Sequence, residues 1–288
     1  MGAKTKIDWC DSTWNPVTGC LHGCEYCYAR RIAERFGGCW RLDLPPDTSW
    51  RGNVGERGLM GDYARHSNRK CHVLDEPEIE CGVFDPPSGY RGKVKPYPYS
   101  FDPTFHRYKL DEPQRWKKPR TIFVCSMADL FGEWVPDEWI AEVFKACDAA
   151  PWHRYLFLTK NPTRYCKIAN DGWLPDAENF WYGSTITRKG ESFFNRSIHW
   201  NAFVSIEPLL EPLDVGIGSF GCAEWVIVGA ETGNRKGKIA PKREWVENIV
   251  EAAQITGMKV FMKESLRELM GADFRQEFPW VVGGSELF

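Results

Sequence analysis

No run of about 18 apolar residues occurs in the chain, so nothing in it reads as a helix that crosses a bilayer. The opening stretch "MGAKTKIDWCDSTW" carries no apolar core of the kind a secretory signal needs. The expected location is the cytoplasm, with no membrane contact. Positive charge is not in excess either: 37 Lys and Arg against 39 Asp and Glu leave a formal net charge of −2. No overall field draws the protein to nucleic acid, so such contact requires a local patch. Internal repeats and low-complexity tails are also absent.

What is present is 288 residues, 43% hydrophobic and 26% charged, an ordinary globular composition. That length suits one α/β barrel of about 250 residues carrying an insertion. Eleven cysteines are many for a reducing compartment, and the number is odd. There, clustered thiols bind metal or do redox chemistry more often than they form disulfides. Fourteen tryptophans raise the aromatic content to 14%, which reads mainly as core and interface packing.

Three stretches follow one another in what reads as a single domain. Residues 1–36 hold a short extended segment at Thr5–Trp9, the cysteine-rich loop and a helix from about Glu25 to Phe36. Residues 37–119 are rich in Gly, Pro and charge, with little periodicity; so long an irregular stretch suggests an insertion acting as a lid over one face. Residues 120–288 are regular. Buried runs "TIFVCS", "YLFLTK", "FWYGSTI", "AFVSIE", "EWVIVGA" and "KVFMKE" alternate with helix-length segments. "DEWIAEVFKACDAA" and "KREWVENIVEAAQITG" have helical apolar stripes, the second with a Gly stop. The pattern predicts an α/β fold of about seven strands, a partial or complete parallel (β/α) barrel. Each buried run ends in polar residues: Ser126 to Asp129, Thr159-Lys160, Ser184-Thr185, Glu207, Glu231 and Lys263-Glu264. In a parallel barrel these fall on the carboxyl rim, where active sites are built.

"GCLHGCEYCYAR" places Cys20, Cys24 and Cys27 within eight residues as C-x3-C-x2-C, with Tyr26 before the last thiol. Soft thiolates select zinc, copper(I) or iron–sulfur clusters. A structural zinc site needs four ligands, and no other C-x2-C or H-x3-H pair occurs; His22, between the cysteines, is the available fourth ligand. Three thiols alone suit a four-iron cubane with one iron open.

C-x3-C-x-aromatic-C after a first strand, opening a helix in a barrel, resembles the radical S-adenosylmethionine (SAM) enzymes. The phrases "IDWCDSTWNPVTGC", "CEYCYARR", "FDPTFHRYKLDEPQRWKKPRTIFVCSMADLFGEWVP", "YLFLTKNPTRY", "FVSIEPLLEPL" and "EWVIVGAETG" further resemble a phage-associated, uncharacterised family within that superfamily. The likeness runs from Ile7 to about Lys263 and is poor over residues 40–95. Departures fall at Cys10 and Cys125, where Thr and Gly are expected, and at "GAETG" in place of "GGESG".

The resemblance implies a barrel of the radical-SAM type with a [4Fe–4S] cluster on Cys20, Cys24 and Cys27. It also implies SAM as a second cofactor and an external one-electron reductant of flavodoxin or ferredoxin type. SAM would be cleaved to methionine and a 5′-deoxyadenosyl radical that attacks a substrate, with the protein supplying binding, orientation and exclusion of water. By position, Ser126 and Asp129 would meet the SAM amino group, and Ser184 and Thr185 its ribose or carboxylate. Glu207, Gly229 and Glu231 would meet ribose and adenine. Lys160 and Lys263 would neutralise its carboxylate or an anionic substrate. Cys125 would face the site as a hydrogen-atom donor, or simply pack. The expected substrate is a nucleobase in nucleic acid or a free nucleotide. The alternatives are a zinc-stabilised binding protein and a cluster used for redox sensing.

Outside the motif, Cys39, Cys71 and Cys81 with His66 or His72 would form an auxiliary metal site or remain free thiols, and Cys147 reads as core. "FHRYKLDEPQRWKKPR" (105–120) interleaves cations and rings, as a nucleic-acid contact or a solvated loop would.

Overall fold

The computed structural model describes residues 5–37, 71–80, 84–85, 89–90, 93–194, 200–216, 218–282 and 285–286. Seven strands form one sheet: β1 (Ser12–Trp14), β2 (Thr121–Val124), β3 (Arg154–Thr159), β4 (Phe180–Thr185), β5 (Asn201–Ile206), β6 (Trp225–Val228) and β7 (Lys259–Met262), paired in chain order. Every pairing is parallel. No pairing joins β1 to β7, so the α/β fold is a partial parallel barrel.

Strand side chains alternate between two cores, as a period of two requires. Ile122, Val124, Tyr155, Phe157, Phe180 and Tyr182 pack outward against α2 (Asp137–Asp148) and its surroundings. Val204, Val226, Val228 and Val260 pack outward with Val246, Ile249 and Ala253 of α4 (Arg243–Thr256). Trp9, Phe123, Leu156, Trp181, Phe203, Trp225, Ile227 and Phe261 fill the interior. Burial on both faces is what apolar parallel strands demand. Local chemistry fixes the helices: Asp137 and Glu138 open α2 and Lys145 closes it, in line with the helix dipole. Gly257, at φ 74°, stops α4.

Three expectations are corrected. Thr5–Trp9 is not a strand: Trp9 enters the interior, 4.6 Å from the Phe123 ring and 6.3 Å from that of Trp225, and the first strand begins at Ser12. The α1 helix is shorter than expected, Tyr28–Phe36. The connection from β5 to β6 has helical length but no helix among the described residues; Pro208, Pro212, Gly216, Gly218 and Gly221 interrupt it. The helix-length segment between β3 and β4 does hold a helix, α3 (Pro162–Asn170).

Much of the expected lid, with Cys39, His66 and Cys81, lies outside the described residues. Inside them, His72–Leu74 pairs in parallel with Thr104–His106, which pairs antiparallel with Val17–Thr18. Phe105 and Cys71 join the outer core; His72 stacks on Tyr99 at 3.7 Å. Residues 105–120 are tied to the fold in part. Arg107 binds Glu142 at 2.9 Å and Asp75 at 2.7 Å, and Arg115 pairs with Asp111. Arg120 lies over Trp116 and donates to Ser12 Oγ at 2.9 Å. Phe105 and His106 are buried, whereas Arg115, Lys117 and Lys118 remain exposed. Cys147 is fully buried in the core, as read. No helix among the described residues is long and apolar enough to cross a membrane.

Candidate active site

A cavity of about 560 Å3 opens at the carboxyl ends of the strands. It is bordered by Cys20, Cys24 and Cys27, and by Ser126, Asp129, Lys160, Thr185, Glu207, Glu231 and Lys263 of the expected site residues. Cys125, Ser184 and Gly229 do not border it.

The cysteine loop leaves the small sheet at Gly19, whose φ is 85°; a Cβ there would stand 2.2 Å from the Asp102 carbonyl oxygen. Only glycine fits that conformation so close to backbone. The Gly19 N–H donates to the Met127 carbonyl at 2.9 Å, and the Cys20 N–H to that of Phe101 at 3.2 Å. Cys27 caps α1, its Sγ accepting the Arg30 N–H at 3.3 Å. Burial pushes the Cys20 thiol up to about 12, with Asp129 and the neighbouring thiols adding to the shift. Such a thiol releases its proton when a cation replaces it.

No three His, Cys, Asp or Glu side chains among the described residues converge on a point that would hold one metal ion. His22 Nε2 instead donates to Asp129 Oδ2 at 2.7 Å, and its ring meets Trp134 edge-on at 4.8 Å. A tetrahedral zinc needs four ligands around one centre, and no such set is gathered among the described residues. A cubane binds each thiolate to a different iron. The three thiols border one cavity.

The other candidates divide by what they already hold. Asp129 accepts four hydrogen bonds, from Thr159 Oγ1 at 2.7 Å, the Phe131 N–H at 3.0 Å, the Lys160 N–H at 2.9 Å and His22. Ser126 Oγ donates to Asn15 Oδ1 at 3.2 Å, and Tyr28 OH donates to the Ser126 carbonyl at 2.7 Å. Glu231 takes both arms of Arg235, at 2.6 and 2.7 Å, and these bonds hold its carboxyl below the usual range. Glu207 accepts from Lys263 at 2.7 Å. Lys160 lies 5.4 Å from the Tyr26 ring centre; burial raises the Tyr26 hydroxyl, opposed by Lys160.

Three expected positions face elsewhere. Ser184 follows the strand alternation outward and accepts the Phe194 N–H at 2.8 Å. Cys125, at φ 59°, breaks the alternation and turns its buried thiol into the outer core with Trp14 and Val17, where burial lifts it to about 12. It does not face the cavity as a hydrogen-atom donor. Gly229 lies beneath the Lys263–Glu207 pair, and the atoms that approach it closely are those side chains.

Residues overlooked in the sequence include Thr13, Ser205 and Trp9, all on the cavity wall. The alternation from Phe203 could have placed Ser205 inward. Nothing local marks Trp9, whose buried indole N–H has no partner among the described residues.

No curated protein and no solved structure matches the chain. The family described as "Protein of unknown function (DUF5131)" matches residues 4–77 and 83–269. The match runs through most of residues 40–95, where the sequence likeness is poorest. By that extent of match, the chain belongs to the DUF5131 family of proteins of unknown function.

Proposed function

We propose that this protein is a radical-SAM enzyme acting on a nucleotide or on a nucleobase in nucleic acid. The observation that carries the reading is the arrangement of Cys20, Cys24 and Cys27 around one cavity at the rim of a partial parallel barrel. Bound there, a [4Fe–4S] cluster supplies an open iron for the amino-acid end of SAM and, from a flavodoxin- or ferredoxin-type reductant, the electron that cleaves its sulfonium C–S bond.

The chain's own part is binding and exclusion of water. Thr13, Thr185 and Ser205 border the cavity and offer hydroxyls to a ribose or a base. Trp9, Phe123 and Leu158 give it an apolar floor. Its carboxylates are occupied: Asp129 by four donors, Glu207 by Lys263 and Glu231 by Arg235. Lys6 and Lys160 also border it, and neither has a carboxylate partner among the described residues. The charge left for a ligand is therefore positive, which supports an anionic group: the SAM carboxylate or a substrate phosphate.

The test is anaerobic purification with iron and sulfide analysis, then incubation of reduced protein with SAM. The expected result is about four irons per chain and release of 5′-deoxyadenosine with methionine. Tightly bound zinc without iron, or a reduced cluster giving no 5′-deoxyadenosine, would overturn it.

A further inference from the structure

We infer that Asp129 does not contact SAM but positions the cysteine loop, acting through His22; the inference rests on the proposed cluster reading for its consequence and on the hydrogen bonds for its geometry. An ionised carboxylate offers about four acceptor sites. Thr159 and Phe131 occupy Oδ1, while Lys160 and His22 occupy Oδ2. Asp129 is 5% exposed and has no lone pair left for an incoming ammonium. Its bonds instead join four places in the chain: the cysteine loop, the turn after β2, the end of β3 and the residue following it.

The loop needs such an anchor. Gly23 has a φ of 74° with nothing within 4 Å of its Cβ position, and Leu21 is exposed. Among the described residues, His22 makes the one side-chain hydrogen bond from residues 21–24 to the barrel. Cys20 and Cys24 flank it on either side. Cys20 is held by its own N–H on the Phe101 carbonyl, so the position of the imidazole sets how far Cys24 stands from it, and Trp134 meets that ring from another side. Charge-assisted bonds of this kind are short and strong, so one carboxylate fixes the spacing of two thiols.

The test uses His22→Ala, His22→Gln and Asp129→Asn in the full chain. His22→Ala leaves the other three bonds of Asp129 intact, so it tests the loop without unfolding the rim. His22→Gln keeps a donor at the Nε2 position. In metal-free protein, alkylation by N-ethylmaleimide is followed at each thiol by mass spectrometry. Exposed Cys222 is the reference and buried Cys147 the unfolding monitor. In His22→Ala and Asp129→Asn, Cys20 and Cys24 should react roughly fivefold faster, the effect of losing one hydrogen bond. His22→Gln should stay near wild type, and Cys147 should stay protected. Unchanged rates at Cys20 and Cys24, or equal acceleration at Cys147, would overturn the inference.

After reconstitution with iron and sulfide, the same two variants should shift the midpoint potential and the reduced EPR signal, and His22→Gln should restore both. A potential indifferent to all three would also overturn it. Should wild type take up no iron, the proposed function fails, while the alkylation rates still decide whether Asp129 positions the loop.

Discussion

Lys263 Nζ donates to Glu207 Oε1 across 2.7 Å, and the pair lies directly over Gly229. A Cβ on Gly229 would stand 3.0 Å from Lys263 Cδ and 3.2 Å from Glu207 Cγ. Two strand ends thus hold one cation between them, with Asp8 Oδ1 4.0 Å from the same ammonium. Because both stems are flexible, Gly229→Ala should displace the pair rather than unfold the sheet. The expected result is a several-fold weaker SAM affinity by calorimetry with Tm within about 4 °C of wild type, a stability change near 1 kcal/mol. Unchanged affinity would show that the pair is not part of the ligand site.

Gly183 is different, because its neighbour cannot yield. A Cβ there would come 2.2 Å from Cζ of the buried Phe203 ring. Gly183→Ala should destabilise the protein by about 1–3 kcal/mol, as overpacking does, measured by urea unfolding. Phe203→Leu in the same chain should recover part of the loss, since the two sites are in contact.

Replacing any one of Cys20, Cys24 or Cys27 by Ala should abolish iron uptake and the associated visible absorption. Cys125→Ala and Cys222→Ser should retain both, because Cys125 faces the core and Cys222 is exposed. Iron retained after loss of a motif thiol would remove that thiol from the ligand set.

His106 is wholly buried, bonded to Thr18 Oγ1 at 2.9 Å and to Tyr108 OH at 3.2 Å. Burial lowers its pKa from 6.5 to about 3. The unfolded chain takes up a proton near pH 6.5 that the folded chain refuses until about pH 3. The stability this gives is complete above pH 6.5 and falls as the pH drops through that window, by about 1.4 kcal/mol per pH unit well below 6.5. Urea unfolding at pH 7, 6 and 5 should show a shallower fall in His106→Gln. Equal slopes in the two proteins would mean that His106 titrates normally.

The strand runs from Thr121 to Met262 were legible because parallel strands buried on both faces are short apolar runs, and each emerged within a residue or two of its expected place. The cysteine triad was legible because its thiols lie close together in the chain. Thr5–Trp9 misled because an apolar segment that fills a barrel looks like one that pairs in a sheet. Residues 105–120 stayed open because interleaved cations and rings read the same whether they face solvent or Glu142, Asp75 and the core.

Residue order alone determined the parallel sheet, the three-thiol loop and the polar rim, since local spacing and alternation carry them. Tertiary structure decided which rim groups stay free. Asp129, Glu207 and Glu231 are occupied by His22, Lys263 and Arg235, and Cys125 is turned away from the cavity into the outer core by its left-handed backbone. A carboxylate's remaining capacity depends on donors brought to it by other strands and loops, and no local pattern records that.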